Sequence, residues 1–209
     1  MRRAATALLL LLIALVATAT PPAGAAKKKR CAKAGITRLE NERVRIYGTS
    51  ANRIYACNLR TGRRVFITRS AAGADDLDEF RGFVRARLAG RYVAFGDDFG
   101  CDRAAGDCHG SVRVVDALTG KDRHAFNLFA RREGERLPMP VLSALALKKN
   151  GSAAAIVAPS GEAPWEVWRL DADGVARIDS GNVDPGSLAT NETRIYWLRD
   201  GAAFSAPWR

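Results

Sequence analysis

The sequence predicts an all-β fold of short antiparallel strands in about four repeated units, set behind an export signal. Three observations carry that reading. Apolar and β-branched residues alternate with polar ones over short runs, the period of a half-buried strand. The turn pairs Thr61-Gly62, Thr119-Gly120, Asp173-Gly174 and Asp200-Gly201 recur, each just before a strand-like run. After the first segment no helical period exceeds two turns; Asp75 to Phe80 reads as a solvated acidic link between units.

The export signal comes first in the chain. Met1-Arg2-Arg3 is a short positive start, Ala4 to Ala19 is an apolar and small-residue run dominated by Leu8 to Leu12, and Pro21-Pro22 breaks it. Ala23-Gly24-Ala25 then gives a small-residue cleavage site, with the cut near Ala25 or Ala26. The run is short for a membrane span, which takes about 20 apolar residues. A retained anchor is the alternative, because Lys27-Lys28-Lys29-Arg30 follows at once and positive charge resists translocation. Basic residues directly before Cys31 argue against a lipid-modification site.

Residues 27 to 209 are then the mature chain, enough for one domain with a sizeable core or two small ones. The leader holds Arg2 and Arg3 and no acid, so its removal lowers the formal charge from +11 to +9. Such a protein is drawn to anionic surfaces such as wall polymers. The charges are spread along the chain, and neither a recognition helix nor a single-strand stacking platform is readable, so nucleic acid is not the expected partner. After cleavage no membrane attachment is expected either.

Four cysteines in an exported chain predict two disulfides, with three pairings open. Cys101 and Cys108 flank a polar, Gly-bearing stretch between two apolar runs, the place for a stapled hairpin; Cys31 would then pair with Cys57. On the loop-entropy account the two bridges contribute about 2.5 and 3.5 kcal/mol. A metal site is disfavoured, since C-x-x-C spacing and paired histidines are both missing from the sequence.

The strands follow in order. Val44 to Tyr47, Ile54 to Leu59 and Val65 to Ile67 form a first group. Phe83 to Leu88, Tyr92 to Phe95, Val112 to Asp116 and His124 to Phe126 form a second, with the cysteine loop inside it. Val141 to Leu147, Ala153 to Val157, Trp165 to Leu170 and Val175 to Ile178 form a third. The last is shorter, with Ser187 to Ala189, Thr193 to Leu198 and Ala202 to Ala206, and has no obvious fourth strand.

Gly90-Arg91-Tyr92-Val93-Ala94-Phe95, followed by Val112 to Asp116 and Thr119-Gly120-Lys121, resembles a blade of secreted bacterial β-propeller-repeat proteins. Thr193 to Gly201 is similar to a closing blade of that family. As a pattern the resemblance runs over about residues 31 to 209. It implies antiparallel propeller-like units, about four in number and the last incomplete, that cover one another's apolar faces. Propellers commonly have more blades, and an open partial ring or a sandwich is the alternative.

No catalytic residue is predicted. His109 and His124 lack ligand-spaced partners, and the chain has no nucleophile elbow, phosphate loop, dinucleotide fingerprint or H-E-x-x-H, so neither metal nor cofactor is expected. Asp97, Asp98, Asp102 and Asp107 depart from the calcium-loop spacing and read as a solvated loop. Trp165 and Trp168 are the candidate ligand-binding residues, able to stack on sugar rings where exposed; as strand neighbours of opposite parity they face opposite sides, so packing competes with binding. The expected function is an exported, non-catalytic binding module whose partner is a protein or a cell-wall polymer. A carbohydrate-active hydrolase or lyase and a membrane-anchored interaction protein are the alternatives. N-terminal sequencing of the exported protein should begin at Ala26 or Lys27; a start at Met1 would establish the anchor instead.

Overall fold

A computed structural model describes Cys31 and residues 35–69, 83–102, 107–131, 139–162 and 164–209. The leader and the acidic link at Asp75 to Phe80 lie outside the described residues. Four antiparallel sheets follow one another along the chain. Sheet 1 holds β1 (Ile36–Glu40), β2 (Val44–Gly48), β3 (Arg53–Asn58) and β4 (Arg64–Arg69). Sheet 2 holds β5 (Val84–Ala89), β6 (Tyr92–Asp102), β7 (Asp107–Asp116) and β8 (Asp122–Arg131). Sheet 3 holds β9 (Val141–Leu147), β10 (Ala153–Ala158), β11 (Trp165–Asp171) and β12 (Gly174–Gly181). Sheet 4 has three strands, β13 (Ala189–Thr190), β14 (Arg194–Arg199) and β15 (Ala202–Pro207). Each sheet is ordered as its strands occur in sequence, and the first strands lie together, β1 against β5 and β5 against β9.

Side-chain alternation explains the stacking. Successive residues of a strand point to opposite faces, so a strand covered on both sides must be apolar at every position. β10, Ala-Ala-Ala-Ile-Val-Ala, is buried throughout. Its Ala153, Ala155 and Val157 join Ala94, Val112, Val114 and Leu128 of sheet 2, while Ala154 and Ile156 join Ile195 and Trp197 of sheet 4. Val93, Phe95 and Val115 on the other face of sheet 2 meet Val44, Ile46, Ile54 and Ile67 of sheet 1. Each fully buried Val, Leu or Ile contributes about 1.5–3 kcal/mol of transfer free energy.

Sheet 1 has a second cover on its remaining face. Cys31 is disulfide-bonded to Cys57 and packs with Tyr47 and Cys57. Arg45, almost fully buried, donates through Nε to Thr37 Oγ1 at 2.6 Å, through one terminal nitrogen to the Gly35 carbonyl at 3.1 Å, and through the other to the Cys31 carbonyl. A guanidinium has five donors and is costly to bury unless they are used. Carbonyls of the incoming chain fill that role. The C-terminus is tied similarly: the fully buried Asp171 accepts from the Arg209 N–H at 2.8 Å, and Arg169 donates to the Pro207 carbonyl at 3.2 Å.

The turn pairs sit in related places with one exception. Thr61-Gly62, Thr119-Gly120 and Asp173-Gly174 join the third and fourth strands of sheets 1, 2 and 3, whereas Asp200-Gly201 joins β14 to β15. Asp97 and the two cysteines differ from a solvated loop, while Asp98 is exposed. The cysteines lie inside strands, Cys101 opposite Cys108 and disulfide-bonded to it. Asp97 is buried, accepting from Thr68 Oγ1 at 2.8 Å and from Arg113 at 2.6 Å. A bulge between Asp97 and Gly100, with Asp98 at φ 58°, inserts one extra residue and turns Phe99 into the sheet 2–sheet 3 interface. The Phe99 ring lies over Gly96 and Gly110, where a Cβ on Gly110 would stand 2.8 Å from it. Gly110→Val should therefore cost about 1–3 kcal/mol in thermal denaturation; an unchanged midpoint would show that Phe99 does not pack there.

Candidate functional site

Sheet 2 outgrows its neighbours. β6, β7 and β8 run 11, 10 and 10 residues, against 5 to 8 for the strands of sheets 1 and 3. The excess forms an arm, stapled by Cys101–Cys108 on the face turned to sheet 3, where Met139 packs on the bridge. Gly100, His109 and Phe129 are aligned across the three strands on the other face. Phe129 is 69% exposed, its ring 6.4 Å from that of His109, and Asp98 Oδ2 lies 3.4 Å from His109 Nε2. An aromatic ring on a rigid, cross-braced strand offers contact area at low entropic cost. The alternation Phe126-in, Asn127-out, Leu128-in, Phe129-out carries this signal beyond the His124 to Phe126 run that the sequence predicts as strand.

At the opposite end of sheet 2, a cleft of about 630 Å³ opens between the β1–β2 and β3–β4 turns and Leu118. Its asparagines are committed to the turns. Asn41 accepts from the Arg43 and Val44 N–H groups and donates to the Gly90 carbonyl at 2.9 Å; Asn58 accepts from the Arg60 and Thr61 N–H groups. Glu40, Glu42, Arg43 and Arg60 bring charges of both signs. Beside the cleft, Asp116 pairs with Arg91 and accepts from the Leu118 N–H at 3.0 Å. Burial alone would raise the Asp116 carboxyl; the hydrogen bonds from Arg91 and Leu118 outweigh it and hold the group below its ordinary value.

Asp97, Asp122, Glu166 and Asp179 serve as ties between strands. Asp97 and Asp122 share Arg113. Glu166 accepts from Trp168 Nε1 at 2.8 Å and Arg177 at 2.6 Å, and Asp179 accepts from Trp197 Nε1 at 2.6 Å and from Arg199. Both carboxylates thus satisfy an indole N–H and a guanidinium together. These groups are spread over three sheets, and among the described residues no cluster of His, Cys, Asp and Glu could hold a metal ion.

Trp165 and Trp168 lie on opposite faces of β11. Trp165 packs in the sheet 3–sheet 4 interface, while Trp168 stacks on Phe126 at 4.6 Å in the sheet 2–sheet 3 interface. The two indoles therefore do not form one platform.

His124 sits near Phe126 in β8. Burial, with Arg123 adding to it and Asp171 opposing, lowers its pKa from the ordinary 6.5. The folded state thus holds the neutral imidazole below the pH at which the unfolded chain takes up a proton. Stability present above pH 6.5 is lost as pH falls toward the folded value. Denaturation midpoints measured from pH 7 down to pH 5 should fall, and His124→Gln should flatten that slope; an unaltered slope in the variant would remove His124 as its source.

The class defined so far is an all-β protein of four successive antiparallel sheets. No protein-family model matches the chain, and no curated protein matches its sequence. Among solved structures it is similar to the computationally designed Ika4 protein, at 16% identity and TM-score 0.43, over 85% of this chain and 93% of that one. The computationally designed Ika8 protein matches at 11% identity and TM-score 0.31, over 80% of this chain and 69% of the other. Likenesses this loose carry no argument about function.

Proposed function

We propose that the chain is an exported, non-catalytic binding module, a small propeller whose fourth blade lacks its outer strand, and that the stapled arm of sheet 2 is its contact surface. The observation that carries the reading is Phe129: a large ring, 69% exposed, in the sheet that holds the longest strands among the described residues, and close to a disulfide. Rigid aromatic anchors of this kind concentrate binding energy. The radial part of the reading is supported by the first strands β1, β5 and β9 lying together. Two disulfides are consistent with an extracytoplasmic location, and no described helix is long and apolar enough to cross a membrane. The partner is a protein or a cell-wall polymer. Asp97 and Asp122 on one arginine, Glu166 on another and Asp179 on a third lie on separate sheet surfaces, which supports binding over polysaccharide hydrolysis, a reaction that needs two carboxyl groups flanking one bond.

The test is retention of the purified protein on isolated cell-envelope and wall material. Phe129→Ala should weaken retention by roughly thirtyfold, the loss of an aromatic anchor worth about 2 kcal/mol. Retention equal to wild type would remove the arm from the binding surface, and turnover of wall polysaccharide by the purified protein would replace the binding reading with the hydrolase or lyase.

A further inference from the structure

The face of sheet 1 turned away from sheet 2 carries aromatic rings and guanidiniums in rows. Ile54 and Ala56 of β3 and Val65 and Ile67 of β4 point into the core shared with sheet 2. Arg53 and Tyr55, with Arg64 and Phe66, therefore point the other way. Tyr47, Tyr55 and Phe66 stand side by side across β2, β3 and β4, with ring centroids 5.8 Å and 5.6 Å apart. Cys31 packs over the β2 side of this row, and the cover thins outward: Tyr47 is 2% exposed, Tyr55 is half-buried and Phe66 is 48% exposed.

Guanidiniums bracket the row. On one side Arg53 and Arg69 stand directly opposite each other on β3 and β4. The register shift between Ile54 and Tyr55 gives β4 one extra residue, which brings Arg69 to the same face as Phe66. On the other side Arg64, opposite Cys57, reaches the Tyr47 hydroxyl. All three arginines are exposed, and among the described residues no carboxylate pairs with any of them. Arg113, Arg177 and Arg199, by contrast, each hold an acid. Like charges directly opposite in a sheet are unfavourable. An anion seated between Arg53 and Arg69 turns that repulsion into two attractions, so this face is complementary to negative charge.

The ring and the charges together select the occupant. The C–H face of a pyranose stacks on an aromatic ring, and in a uronate the same sugar carries a carboxylate. Phe66 supplies the stacking surface, and a guanidinium meets a carboxylate through two parallel hydrogen bonds. Arg64 is two residues from Phe66, about 7 Å along the strand, within reach of a carboxylate on the stacked sugar or its neighbour. A polyol phosphate brings charge without a ring to stack, and a neutral glycan brings a ring without charge. The geometry points to the outer face of β3 and β4 as a second binding surface, one that takes a carboxylate-bearing polysaccharide. It lies on sheet 1, apart from the arm of sheet 2, and does not depend on what the arm binds.

Isothermal titration calorimetry of the full exported chain, disulfides intact, should show saturable binding of an oligogalacturonate. The fully methyl-esterified form has the same rings without the charge and should bind about tenfold more weakly, as should inorganic polyphosphate, which has charge without rings. Phe66→Ala and Arg53→Gln should each weaken the oligogalacturonate by about tenfold. Thermal denaturation separates this loss from misfolding, because Arg53→Gln removes a like-charge pair and should not lower the midpoint. Wild type that binds no oligogalacturonate, equal binding of acid and ester, polyphosphate that binds as well as the oligogalacturonate, or a folded Arg53→Gln variant that binds as wild type does would each overturn the inference.

Discussion

A sheet covered on both faces has no side on which to put polar residues, and two of the four sheets are in that position. β10 meets the constraint with four alanines, an isoleucine and a valine, all buried. Small side chains allow sheet 2 and sheet 4 to approach sheet 3 from opposite sides, while larger residues that fill the interfaces come from the neighbours: Phe99, Phe126 and Leu128 on one side, Trp197 and Val183 on the other. The arrangement places the molecule's stability in three interfaces in series. Damage to β10 is felt in two of them, and damage to β4 or β15 in one at most. The end sheets need other covers, which is why a disulfide and the buried Arg45 hold the incoming chain against sheet 1.

The same constraint decides where charge can go. Arginines and acids on the strands pair across the ladder, as Asp97, Arg113 and Asp122 do on three neighbouring strands. Exposed pairs of this kind contribute about 0–1 kcal/mol each, so their number says little about stability. Their placement still matters. Arg113 holds Asp97 and Asp122 together, and the Asp97 carboxylate also receives Thr68 from sheet 1, fixing the angle at which sheets 1 and 2 meet.

The strands of sheets 1, 3 and 4 were largely legible because each is a short apolar alternation closed by a Gly, Asn or Asp turn. Val141 to Leu147 matches β9 residue for residue. β1 was not legible: Ile36–Glu40 lies at an edge, is mostly exposed and has no buried face to impose a period. The length of β6 and β7 was hidden for another reason. Gly96, Asp97, Asp98, Gly100 and Asp102 have the composition of a turn, and only the tertiary setting, Arg113 and Thr68 for Asp97 and the Phe99 ring over Gly96 and Gly110, makes strand of it. The opposite facing of Trp165 and Trp168 followed from period two. That Phe126 and Glu166 would claim Trp168 did not, since partners distant in sequence leave no local trace.

The arm shows why the second disulfide lies where it does. Along most of its length sheet 2 is sandwiched, and its strands need no covalent help. At the His109–Phe129 row Phe129 is exposed, His109 is half-buried and Gly100 is buried, while the reverse face carries the Cys101–Cys108 bridge with Met139 packed on it. Strand pairs with one or no packed face are marginal in water. Closing the seven-residue separation from Cys101 to Cys108 constrains the unfolded chain by about 2.5 kcal/mol on the loop-entropy account. The bridge forms a buried cluster with Met139 and braces the strands beside Phe129, and rigidity is what an exposed Phe129 requires if it is to bind without first being ordered.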